Sequence, residues 1–207
     1  MKDDSNKKFW DRVSKIYTVF QEKGNKDLYE TLSQTIKPKF EKDQKILELG
    51  CGTGQLTTFL LNKSNNYIAT DFSEKMISEA KIRFKNKDVL FEVEDATNLS
   101  YENDSFDVVL IANALHIMPS PNKALKEIKR VLKKDGILIA PTFVYEGNTN
   151  KFRLKVMEKV GFKTFYKWTS KEYREFVEEQ GFCVIDEEYI YGEVIPECIL
   201  TCKIKEC

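Results

Sequence analysis

The chain has 207 residues, with 33 Lys+Arg balanced by 33 Asp+Glu, 42% hydrophobic and 32% charged residues and one histidine. This composition fits one folded domain and argues against disorder, and zero net charge provides no overall attraction for nucleic acid. No run reaches the roughly 18 to 20 apolar residues that span a bilayer and MKDDSNKKFW has no secretory character, so a cytoplasmic protein with no membrane partner is expected.

Phe9, Val13, Ile16 and Phe20, flanked by Trp10 and Tyr17, repeat at helical spacing and predict an amphipathic N-terminal helix. A second helix is expected from Lys26 to Ile36, before Pro38. Lys45 to Leu49 then reads as a short buried strand running into Gly50-Cys51-Gly52-Thr53-Gly54, with a helix expected from Gly54 to Asn62. Tyr67 to Thr70 is the next strand, ending at Asp71. Ser73 caps a helix reaching Phe84, and Val89 to Val93 is the third strand. Phe106 to Ala112 is a fourth strand, an apolar run with Asp107 near its start and Asn113 after its end. A helix over Pro121 to Lys133, capped by Ser120, leads to a fifth strand, Ile137 to Ala140. Further on, Phe152 to Gly161 and Ser170 to Gln180 read as helices, and Cys183 to Tyr191 and Ile199 to Ile204 as strands forming an edge hairpin. Strands apolar on both sides, alternating with helices, predict an α/β doubly wound, mostly parallel seven-stranded sheet covered on both faces.

The turn after the first strand carries the most chemistry. Its glycines permit a tight bend and a close ligand approach at a helix N-terminus. The third glycine stands one position too early for the dinucleotide pattern, and Gln55-Leu56 stands where a phosphate-binding loop needs its lysine, which weakens both phosphate readings. Glu48, two residues before Gly50, opposes polyphosphate and favours a ligand with ammonium or sulfonium charge. A carboxylate at Asp71, ending the second strand, is placed to accept both hydroxyls of a ribose.

Glu48-Leu49-Gly50-Cys51-Gly52-Thr53-Gly54 resembles the first motif of the Rossmann-like, class I S-adenosylmethionine-dependent methyltransferases, E/D-x-G-x-G-x-G, at every fixed position. The likeness extends over about residues 40 to 145 and is nearest to the ubiquinone/menaquinone methyltransferase-like, small-molecule group. It implies S-adenosyl-L-methionine as cofactor, S-adenosyl-L-homocysteine as product, and in-line methyl transfer to a small-molecule acceptor. By resemblance the cofactor site comprises Tyr17, Glu48, Gly50, Cys51, Gly52, Gly54, Gln55, Asp71, Asp95, Ala96, Asn113 and Ala114, with Phe72 and Met76 as walls for the adenine and Asp95 for its amino group. His116, just past the fourth strand, is the candidate base or substrate contact. The chain then divides into a helical cap (1–38), a cofactor-binding core (40–145) and C-terminal helices with the edge hairpin (146–207), all within one methyltransferase domain, as monomer or homodimer.

Absent residues remove subclasses. Asn113-Ala114-Leu115-His116 lacks the Pro-Pro-aromatic clamp of amino-methylating relatives, and neither Cys183 nor Cys198 has the setting of a nucleophile for pyrimidine carbons. Cys198, Cys202 and Cys207 match no zinc spacing, so no metal is expected. A non-catalytic cofactor-binding protein, a thiol or arsenic methyltransferase and a dinucleotide oxidoreductase stand as alternatives. The nine aromatics between Phe143 and Phe176 are divided between an acceptor pocket and ordinary packing.

Overall fold

Strands in this chain pair in the order β3-β2-β1-β4-β5-β7-β6, a single seven-stranded sheet. The computed structural model describes Asp11 and residues 26–87, 89–146, 164–191 and 195–205. Helix α1 (Lys26–Ile36) precedes β1 (Lys45–Leu49), α2 (Thr57–Leu60), β2 (Asn66–Asp71), α3 (Glu74–Arg83), β3 (Leu90–Val93) and β4 (Phe106–Ile111). Then come α4 (Pro121–Val131), β5 (Leu132–Phe143), α5 (Ser170–Glu179), β6 (Phe182–Ile190) and β7 (Glu197–Ile204). β1 to β5 run parallel to one another, whereas β7 runs antiparallel to both β5 and β6. The expected C-terminal hairpin therefore lies on the sheet edge.

Alternation along each strand divides the interior into two apolar layers. Leu47, Leu49, Leu138, Ala140, Cys198 and Leu200 face α4 and α5 through Leu125, Ile128, Tyr173 and Val177. On the other face, Ile46, Leu110, Ile139 and Ile199 meet α1, α2 and α3 through Leu32, Ile36, Leu60, Ile77 and Ala80. Each leucine, isoleucine or valine among them contributes about 1.5–3 kcal/mol when fully buried. The edge strand is held by Lys39, which pairs with Asp186 and, at 2.8 Å, with Glu188. Charged side chains on an edge also discourage pairing with another chain.

Three local expectations are corrected. The helix foreseen from Gly54 to Asn62 shrinks to Thr57–Leu60 with a 3-10 turn at Leu61–Lys63, because the glycine turn consumes the chain up to Leu56. α4 ends at Val131 rather than Lys133, since Leu132 already pairs with Phe106 and the register then shifts over Lys133–Gly136. Ser120 occupies the N-cap position of α4 but its side chain makes no capping bond. Pro121 brings no N–H, and the Ser120 carbonyl accepts from Lys123 N at 3.1 Å. Ser73, by contrast, caps α3 as expected, accepting from Met76 N at 3.2 Å. The helices expected at Phe9–Phe20 and Phe152–Gly161 lie outside the described residues, apart from Asp11.

Gly54 fixes how closely α3 approaches the turn. Its φ is +82°, and a Cβ there would stand 2.5 Å from the Phe84 ring. Gly54→Ala should therefore cost about 2–4 kcal/mol from the left-handed backbone plus overpacking, seen as a lower urea midpoint with unchanged slope.

Candidate active site

β2 leaves β1 on one side and β4 lies on the other, so the chain order reverses between β1 and β4 and their carboxyl ends open a crevice. Gly50 starts the turn there at φ +71°, and a Cβ on it would come within 3.1 Å of Ala114 Cβ. The turn after β1 thus runs against the loop after β4. A residue without a side chain accommodates both this approach and the left-handed φ. Cys51 N donates to Thr70 O at 2.9 Å and Gly54 N to Cys51 O at 3.0 Å, which fixes the turn onto β2. The Cys51 thiol is buried, and burial with Glu48 and Asp71 nearby pushes it well above its ordinary value, so it stays protonated. Gln55 Nε2 donates to Thr53 Oγ1 at 2.6 Å, folding that side chain into the turn.

Two carboxylates brace the crevice differently. Glu48, 2% exposed, points into the core, where its Oε2 accepts from Thr57 Oγ1 at 2.6 Å and Tyr67 OH at 2.8 Å. Burial raises its pKa from 4.5 to about 7 against the effect of those two donors. Asp71 is half-buried at the mouth: Oδ2 accepts from Gly52 N at 3.0 Å and Oδ1 from Ser73 N at 2.8 Å. Burial raises it to about 6, opposed by these backbone donors. Phe72, beside it, is 38% exposed, whereas Met76 is 1% exposed. Ser73 also donates to Asp11, the described residue of the N-terminal segment, and Tyr17 lies outside the described residues.

Across β2 lies the end of β3. Asp95 Oδ1 accepts from Thr97 N at 2.9 Å and Thr97 Oγ1 at 2.7 Å, a local turn that orients the carboxylate, and Ala96 beside it is buried. Past β4, Asn113 adopts a left-handed φ of 53°. Its N–H donates to Pro141 O at 2.9 Å and its Nδ2 to Glu197 Oε1. His116 is 3% exposed, with Nδ1 at 2.9 Å from Thr142 Oγ1 and the Phe143 ring edge-on at 5.9 Å. Its carbonyl accepts from Phe165 N and Tyr166 N, and burial lowers its pKa to about 4, leaving a neutral imidazole.

The turn residues Gly50, Cys51, Gly52, Gly54 and Gln55 thus share one crevice mouth with Asp71, Phe72 and Ala114. Asp95 and Ala96 end the strand beyond β2. Glu48 stands behind the turn, and His116 is enclosed by β5 and residues 165–166. Many of the C-terminal aromatics pack on each other: Tyr166 stacks on Trp168 at 4.7 Å and Trp168 on Phe176 at 4.8 Å, while buried Tyr173 donates to Ala140 O at 2.9 Å. Glu197 was not foreseen. The signal was an acidic residue opening an otherwise apolar strand, Glu197-Cys198-Ile199-Leu200. Among the described residues no group of three His, Cys, Asp or Glu side chains could hold a metal, and no helix is long and apolar enough to cross a membrane.

The sequence profile described as "Methyltransferase domain" matches residues 47–140. A demethylmenaquinone methyltransferase of Lactobacillus johnsonii is 41% identical over 113 residues, 48% of this chain and 46% of that protein. Another, from Staphylococcus haemolyticus, is 30% identical over 200 residues, 86% of this chain and 82% of the relative. In most of these matches the chain spans about half the length of the curated relative. The fold resembles the putative methyltransferase in its complex with the Trm112 methyltransferase activator from Haloferax volcanii, with TM-score 0.78, 19% identity and coverage of 95% of this chain and 98% of that one.

Because the folded-state pKa of Glu48 is raised, its contribution to stability is fully present below about 4.5 and is lost as pH rises through about 7. Wild-type urea midpoints should fall between pH 5 and 8. Glu48→Gln, which can still accept both hydroxyl bonds, should fall less; parallel pH curves would mean that Glu48 is already ionised in the fold.

Proposed function

The chain belongs to the class I S-adenosylmethionine-dependent methyltransferases, and from that premise we propose that it transfers a methyl group to a small hydroxylated aromatic acceptor of the hydroquinone class. We read it as one methyltransferase domain working in the cytoplasm as monomer or homodimer, without nucleic acid. The acceptor class rests on the relatives named for demethylmenaquinone, a naphthoquinone.

The observation that carries the cofactor reading is Asp71, which ends β2 and spans the amides of Gly52 and Ser73. A carboxylate offers about four lone-pair positions, so two remain for the hydroxyls of a ribose. Gly50, lacking a Cβ, lets the turn close against Ala114 and so sets the turn's backbone at the crevice where the ligand would lie. In this reading Gly50, Cys51, Gly52, Gly54 and Gln55 line the cofactor with backbone, Phe72 and Met76 flank its adenine, and Asp95 with Ala96 bounds the ring. Asn113 and Ala114 border the methyl-bearing end, and Tyr17 covers it. Glu48 acts from behind, pinning the turn through Thr57 and Tyr67.

S-adenosylmethionine supplies a methyl on a sulfonium, and the protein's part is to align the acceptor with it and exclude water. Orientation of this kind is worth about 7–11 kcal/mol in favourable cases. The low pKa of His116 makes it a weak base, which favours the role of substrate contact held by Thr142. Burial pushes Cys51 well up, and Cys198 and Cys202 to about 12, so these three offer no ready thiolate to an arsenic substrate.

Asp71→Ala should weaken S-adenosylhomocysteine binding in calorimetry by about 1.5–3 kcal/mol, or roughly 10- to 150-fold. An unchanged dissociation constant would place the ribose elsewhere. Methyl-labelled S-adenosylmethionine with anaerobic 1,4-naphthohydroquinone should give a labelled product. His116→Ala should slow that reaction with little change in S-adenosylhomocysteine affinity.

A further inference from the structure

β7 runs antiparallel to β5, so its first residue, Glu197, stands level with Phe143 and with the carboxyl ends of the parallel strands. Its side chain is 0% exposed. One oxygen, Oε1, accepts from Asn113 Nδ2 across the end of β5, and the other, Oε2, is buried with no hydrogen-bond partner among the described residues. Asn113 Oδ1 is buried and unpartnered beside it. Buried polar atoms are nearly always satisfied, and each exception calls for an explanation, a catalytic role among them. Glu48 and Asp71, the other two acids described at the crevice with raised pKa values, already accept from donors of the fold, and His116 is turned onto Thr142.

We infer that Glu197 is the proton acceptor of the methyl-transfer reaction, its carboxylate aimed by Asn113 and its free Oε2 left for the acceptor's hydroxyl. The inference rests on the methyl-transfer reading above. An electron pair of the acceptor, on the hydroxyl oxygen or on the ring carbon it activates, forms the new bond to the methyl carbon. The carbon–sulfur bond breaks with its pair left on sulfur, and the displaced proton passes to Glu197 Oε2. Charge balances: a sulfonium and a carboxylate give a thioether and a carboxylic acid.

Burial raises Glu197 to about 7 while the Asn113 bond opposes the rise, a strength suited to accepting a proton near neutrality. Among titratable groups on the neighbouring elements, His116 on the loop after β4 titrates at about 4. Cys198 on β7 and Tyr189 on β6 are both raised to about 12, and Glu188 on β6 is paired with Lys39. Activity should therefore rise from pH 6 to 8 as Glu197 ionises.

The test compares wild type and Glu197→Gln by S-adenosylhomocysteine calorimetry and by methylation of 1,4-naphthohydroquinone from pH 5.5 to 9, a range chosen to span about 7. Expected are dissociation constants within about threefold, turnover lowered about 10²- to 10⁴-fold, and loss of the ionisation near 7. Turnover retained with the same profile overturns the assignment, as does affinity falling in step with turnover, which would make Glu197 a brace for Asn113. Should the glutamine variant fail to fold, Asn113→Gly decides: it suits the left-handed backbone, removes the bond that lowers the Glu197 pKa and should move the kinetic ionisation upward. An unmoved ionisation overturns the proposal. Wild type that binds S-adenosylhomocysteine but leaves the probe unmethylated overturns the acceptor reading and this assignment with it, while the cofactor reading stands.

Discussion

Asp71 accepts one backbone N–H from the turn after β1 and one from the turn after β2, and this double hydrogen bond holds the mouth of the crevice. The turns could otherwise separate, because glycine gives the first of them wide conformational freedom. With Gly52 and Ser73 tied to one carboxylate, Gly50 is carried against Ala114, and the switch point between β1 and β4 becomes a defined cleft. The fold accepts a cost for it. Burial raises Asp71 to about 6 and Glu48 to about 7, so at neutral pH Asp71 is mostly ionised while Glu48 keeps its proton in about half of the molecules. Each is compensated by local donors rather than by a cation: backbone amides for Asp71, hydroxyls for Glu48. At Asp71 this leaves negative charge beside the turn, which suits a cationic ligand better than a phosphate.

The far side of the crevice follows a second logic. Asn113 sits at φ 53°, a conformation that its short polar side chain tolerates, and spends its amide donor on Glu197. Three strand ends therefore meet through polar groups: Asn113 after β4, Pro141 in β5 through its carbonyl, and Glu197 opening β7. The antiparallel strand is what makes this possible. A seventh parallel strand would have delivered its last residue, not its first, to that end of the sheet.

Much of the scaffold was legible because its signals are local. Apolar runs such as Val108 to Ile111 specify strands buried on both faces, and a serine before Glu74 specifies the cap of α3. Asp71, Asp95 and Asn113 were legible as strand-end residues for the same reason. What the sequence concealed depended on tertiary contacts. Nothing near residue 197 announces that its carboxylate meets Asn113, 84 positions away. Nor does the chain around His116 reveal that Thr142 and residues 165–166 enclose it and remove its basicity. Helix α2 was overestimated because periodicity cannot tell where a glycine turn ends and a helix begins.

The proposed site houses the S-adenosylmethionine chemistry where the turns after β1 and β2 meet. Amide chemical-shift mapping of isotopically labelled protein titrated with S-adenosylhomocysteine tests it directly. The largest changes are expected at Gly50, Gly52, Phe72, Ser73, Ala96 and Asn113. Changes confined to the groove between α1 and β6, at Thr31, Lys39 and Glu188, or no saturable change at all, would contradict it.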